Sequence, residues 1–198
     1  AVHYIGQYLT REKLSLEERL RVRELRFMVD MSARTALVLL LPVGFTLAQI
    51  YGSPISGPWL QLLWFAAICW LTLVWSVHLK KGSAIGEKLR RIDIAFRYLV
   101  MASMASFGIY CLVTDGPISS NWLAIKILLF AIILLNGVWI RQIIGRWPAA
   151  FELVRAGGDD AERGELLIKK LQRDTNHAAL CIWILVVLMA FLGIVKPY

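Results

Sequence analysis

The chain has 198 residues, of which 58% are hydrophobic and only 18% charged, and its mean hydropathy is +0.61. That is too little charged surface to coat a soluble domain of this length, so the excess apolar area must face lipid. The formal net charge of +8 does not mark a nucleic-acid binder, because the cations lie in polar segments between apolar runs and no basic patch is interleaved with aromatics.

The sequence opens at Ala1 without an initiator Met, which points to residues upstream. Residues 2–9 fall short of the ~20 needed to cross a bilayer. They read either as the tail of a further helix or as an interfacial segment. Ser15-Leu-Glu-Glu18 has the form of a capping box and predicts a helix start. No Gly or Pro interrupts the charged stretch Glu17–Arg34, so that helix should run on into the first apolar run, Thr35–Tyr51. Pro42 inside the run removes a helical hydrogen bond and predicts a kink. The uncharged turn Gly52–Pro58 leads to the second run, Trp59–Leu79, which ends at Lys80-Lys81.

A basic loop, Gly82–Arg91, precedes the third run, Ile94–Thr114. Its small residues, with Ala102 and Ser106 at small-xxx-small spacing, predict a helix inside the bundle. After the turn Asp115–Ser120 comes the fourth run, Asn121–Arg141, framed by Trp122 and Trp139 and carrying Lys126. The polar stretch Gln142–Asn176 reads as a short helix after Pro148, a break at Gly157-Gly158, and a second helix capped by Asp159 or Asp160. Leu166, Leu167 and Leu171 line one side of that second helix, and the last run is Ala178–Val195.

The pattern predicts an all-α polytopic transmembrane helix bundle with five spans, and a sixth if a helix precedes Ala1. It divides into an N-terminal segment (1–34), two two-helix units (35–81 and 90–141), a helical loop (142–177) and a closing span (178–198). Nearly all cations fall in Arg11–Arg34, Lys80–Arg97 and Arg141–Arg173. By the positive-inside rule this predicts a bacterial inner-membrane protein with the N-terminal segment in the cytoplasm and the C-terminus in the periplasm.

The two-helix units share landmarks in order: Asp30 with Asp93, Arg34 with Arg97, Gly44 with Gly108, Gly52 with Gly116, Pro54 with Pro117, Trp59 with Trp122, and Trp75 with Trp139. A two-span unit repeated in tandem gives parallel copies related by an axis along the membrane normal. The Asp–Arg pairs stand at i, i+4 and allow a salt link on one helix face. Lys126 has no counterpart, since Leu63 occupies the equivalent position.

Arg90-Arg-Ile-Asp93, Gly108, Trp122-Leu-x-x-Lys126 with its Leu-rich continuation, and the ending Ile194-Val-Lys-Pro-Tyr198 resemble the CopD-like superfamily of bacterial inner-membrane proteins. That group includes the copper-resistance protein CopD and membrane protoporphyrinogen oxidases of the HemJ type. The resemblance covers a little over half the chain and implies a helical membrane bundle. HemJ-type proteins carry an early histidine and an Asn-Glu-x-Pro entry to the last helix. Here the entry is Thr175-Asn-His-Ala178, and the early histidine has only His3 as a counterpart. The oxidase activity is therefore not carried over.

Four groups of residues are candidates for chemistry. Lys126, one turn inside Trp122, either snorkels to headgroups or anchors an anionic group such as a carboxylate. His3, His78 and His177 map near the same ends of their segments. Two facing imidazoles among them would suit a b-type haem, against ordinary polar helix termini. Met101, Met104 and Cys111 share a helical face with Gly108; soft sulfur would suit Cu(I), and packing is the competing role. Cys69, Cys111 and Cys181 lie far apart in apolar runs and read as small buried hydrophobes. No nucleophile–base pair, HExxH, P-loop or GxGxxG motif occurs. The leading expectation is a non-catalytic membrane subunit or accessory component that contacts lipid and other subunits. A haem-binding redox protein comes second and copper handling third.

Overall fold

The computed structural model describes Tyr8, Thr10 and residues 14–196 except Gly52, Asp115 and Ser119, with backbone alone at positions 16, 24, 26 and 27. The described chain is all-α: α1 (Leu16–Ala48), a 3-10 turn (Gln49–Tyr51), α2 (Pro58–Leu79), α3 (Ala84–Thr114), α4 (Asn121–Ala156) and α5 (Gly158–Val195). Each of the five α-helices is long and apolar enough to cross a membrane, as the apolar runs predict.

The helix starts follow local chemistry. At α1 the Glu18 backbone N–H donates to Ser15 Oγ at 3.3 Å, while the Ser15 N–H donates to Glu18 Oε2 at 3.0 Å. This reciprocal pair satisfies two otherwise orphaned donors. Pro58 occupies the first turn of α2, where its missing N–H costs nothing. At α3 the Gly86 N–H donates to Ser83 Oγ at 3.0 Å.

Two helices run further than the sequence pattern predicts. Pro148 does not begin a new helix; α4 passes through it to Ala156. The break comes where the sequence places it, at Gly157 and Gly158, whose φ of 80° and 58° favour glycine. From Gly158 a single α5 of 38 residues includes the last apolar run, with Asp159 and Asp160 in its first turn rather than capping it. Tertiary packing explains the unbroken α4, because Trp147, Ala150 and Phe151 flank Pro148 and are all buried in one core.

The chain forms two compact units. One gathers the chain up to Ser32 with Asn136–Ile184; the other gathers Ala33–Leu135 with Leu185–Tyr198. In the first, Ile143, Trp147, Ala150 and Phe151 of α4 meet Ile168, Leu171 and Ala178 of α5, with Leu20 and Val22 of α1 against them. A Cβ at Gly164 would stand 2.8 Å from the Val154 backbone nitrogen, so glycine is what lets α5 lie this close to α4. Arg19 Nη1 reaches Glu165 Oε1 at 2.6 Å, and Asn136 Nδ2 donates to the Ala178 carbonyl at 2.8 Å.

In the second unit α1 runs through Pro42, whose ring nitrogen has no proton for the Val38 carbonyl. Thr46 Oγ1 donates to the Pro42 carbonyl at 2.7 Å, and Trp64 Nε1 donates to Thr46 Oγ1 at 3.1 Å, linking α1 to α2. The inward helix is α4, not α3. Half of the most apolar window of α4 is buried, against 17% for α3. Ala102 and Ser106 are exposed, and Gly108 is the close-packing residue of α3: a Cβ there would fall 2.7 Å from Leu128 Cγ of α4. Landmarks paired in the sequence have different surroundings. Gly44 has open space around it, and Trp59 is 69% exposed where Trp122 is 8% exposed.

Candidate functional site

The most fully built polar arrangement lies between α2 and α3. Asp93 is completely buried, and Arg97, one turn on, is nearly so. Arg97 Nε donates to Asp93 Oδ2 at 3.1 Å, and Trp70 Nε1 donates to Asp93 Oδ1 at 3.1 Å. The guanidinium sits 5.3 Å from the centroid of the Trp70 ring, which also meets Phe96 edge-on at 5.2 Å. Each carboxylate oxygen therefore has a donor, and the cation has both an anion and an aromatic face.

An ion pair out of water loses several kcal/mol of hydration per ion, and the hydrogen bonds at both Asp93 oxygens offset part of that cost. The i, i+4 spacing is visible in the sequence; the role of Trp70 is not. The available signal was that a tryptophan inside an apolar helix needs an acceptor for its N–H. Asp30 and Arg34, which have the same spacing on α1, are half-buried.

A second arrangement forms around Lys126. Its ammonium lies 5.8 Å from the Trp122 ring centroid, and a Cβ on Gly193 of α5 would come within 3.0 Å of it. Trp122 meets Tyr51 edge-on at 5.2 Å, and Lys196 Nζ stands 4.5 Å from the Tyr51 ring. No ion pair joins either lysine to a carboxylate among the described residues. Lys126 is half-buried against the last turns of α5, where helix carbonyls lack intrahelical donors and the dipole is negative. The series Lys196–Tyr51–Trp122–Lys126–Gly193 joins the 3-10 turn, α4 and the end of α5.

The other candidates are dispersed. His78, near the end of α2, is half-buried with its ring edge-on to Trp75 at 6.0 Å; His177 is exposed on α5; His3 lies outside the described residues. Met101 and Met104 are half-buried and Cys111 is buried, on the same side of α3 as Gly108. Cys69 and Cys181, expected as buried hydrophobes, are exposed on apolar spans, where the protein surface is itself apolar. Among the described residues no three His, Cys, Asp or Glu side chains converge as a metal site would require. No protein-family model, curated protein or solved structure matches the chain.

Proposed function

We propose that this chain is a non-catalytic accessory or assembly subunit of a larger membrane complex, seated in a bacterial inner membrane with its N-terminal segment in the cytoplasm. The observation that carries the reading is the exposure of α5. Its most apolar window is only 6% buried, whereas that of α4 is half buried. Trp183, Val187, Phe191 and Ile194 recur at helical spacing along one exposed side. Such a side offers the shape-dependent packing by which membrane helices associate, since lipid supplies no hydrophobic drive between them. The cation-rich segments support the orientation through the positive-inside rule. Kinship with CopD-like bundles and the two-helix repeat belong to the same reading and rest on the sequence motifs.

Purification in a mild detergent tests it. The expected product is a complex of fixed stoichiometry that Val187→Ser with Phe191→Ser releases, while the chain's own unfolding temperature stays unchanged. A lone chain carrying only lipid would overturn the reading. A Soret band in the purified protein would replace it with a haem-binding redox role, and copper retained through gel filtration would replace it with copper handling.

A further inference from the structure

The turn between α2 and α3 carries a charge density that neither polar arrangement above uses. Lys80, Lys81, Lys88, Arg90 and Arg91 fall within twelve residues, all exposed, against the single carboxylate Glu87. That carboxylate is already engaged: Arg90 Nε and Nη2 donate to its two oxygens at 3.0 and 2.8 Å. The next acid in the sequence, Asp93, is buried between α2 and α3.

The turn also has a shape. A cavity of about 320 Å³ opens there, lined by Val77, Lys81, Ser83, Gly86, Glu87 and Arg90 among others. Gly86 keeps it tight, because a Cβ at this position would strike the Lys80 carbonyl. Ser83 fixes the chain, its hydroxyl donating to the Lys80 carbonyl at 2.7 Å and accepting from the Gly86 N–H.

Depth decides the partner. The apolar run of α2 ends at Leu79 and that of α3 begins at Ile94. The intervening turns of α3 climb ~15 Å at the helical rise. The headgroup zone adds roughly 5–7 Å on each side of the hydrocarbon. At that rise Arg91 and Arg90 stand about 4–6 Å above Ile94, at the level of the phosphates of the adjoining leaflet, while Lys88, Lys80 and Lys81 stand farther out around the cavity.

We infer that the α2–α3 turn is a binding site for the phosphate headgroup of an anionic phospholipid. The bilayer is the source, because Arg90 and Arg91 stay in the headgroup zone while α2 and α3 remain in the membrane, and the lysines stand directly above it. Each cation near an anionic surface strengthens the attraction roughly five-fold. The site should therefore weaken as salt rises.

The test uses the full chain in detergent micelles with equal phosphatidylglycerol and phosphatidylcholine, followed by native mass spectrometry of the retained lipid. Wild type is expected to retain phosphatidylglycerol at least about ten-fold over phosphatidylcholine. K80Q/K81Q/K88Q/R91Q should lose that preference. R146Q/R155Q/K170Q/R173Q, which removes four exposed cations elsewhere, should keep it. Glycerol phosphate in excess should not displace the lipid; displacement would mean a soluble phosphate site and would overturn the lipid assignment. Equal retention of the two lipids by wild type would overturn the proposal without recourse to any variant, and so would equal losses in both quadruple variants.

Discussion

The apolar spans of α4 and α5 invite opposite treatment if judged by hydropathy alone. That of α5 is the more apolar and yet only 6% buried, while that of α4 carries Lys126 and Asn136 and is half buried. In water the more apolar helix would be the core. In lipid the solvent is as apolar as leucine, so a helix is drawn inside by close packing and by polar groups that need partners. The polar residues of α4 have such partners: Asn136 reaches the Ala178 carbonyl and Lys126 the Trp122 ring. The apolar stretch Ala179–Val195 of α5 has no charged residue and presents one stripe inward, with Ala179, Ile182, Leu185, Met189 and Leu192 partly buried.

The contrast can be broken by paired substitutions. The largest effect is expected in phenylalanine deletions. Phe130→Ala on α4, at 6% exposure, should cost about 3–5 kcal/mol in detergent unfolding. Phe191→Ala on α5, at 55% exposure, should stay within ~0.5 kcal/mol for the isolated chain. Equal losses would erase the distinction between the helices.

Glycine positions sharpen it next. Gly108→Ala forces a methyl onto Leu128 and should cost roughly 1–3 kcal/mol. Gly193→Ala on α5 meets only the tip of Lys126, which can swing aside, so its unfolding midpoint should remain at or slightly above wild type. A smaller loss, roughly 1 kcal/mol, is expected for Asn136→Ala, in the range of interhelical hydrogen bonds in membranes.

The smallest change lies outside both spans, at the cap of α1. The Ser15 hydroxyl and then its backbone N–H donate to Glu18 and hold that carboxyl below its ordinary value. A lowered folded-state value stabilises above the unfolded one, and the contribution is lost as pH falls through the lowered value. Ser15→Ala should therefore speed amide exchange in the first turn near neutral pH and flatten its acid dependence. The rest of the chain should exchange as before.

Much of this architecture is legible in the residues. Ser15 and Glu18 announce the first helix, Gly157-Gly158 the break, and the apolar runs the five spans. What could not be read follows from contacts between helices. The small residues of α3 pointed to an interior helix, but Ala102 and Ser106 face outward, and Gly108 makes the close approach to α4. Pro148 reads as a helix boundary, yet the buried residues beside it keep α4 whole. The Asp93–Arg97 spacing was visible, whereas the match of Trp70 to Asp93 depends on the register between α2 and α3, which no local pattern encodes. The exposure of α5 was hidden for the same reason, since the hydropathy of a run does not say which helix packs inside.

A photo-crosslinking residue placed at Val187 in the intact membrane tests most directly whether that exposed side of α5 meets another subunit. The expected result is one protein adduct of defined mass, absent when the same residue is placed at Leu62, an exposed apolar position on α2. Lipid adducts alone from both positions would contradict it.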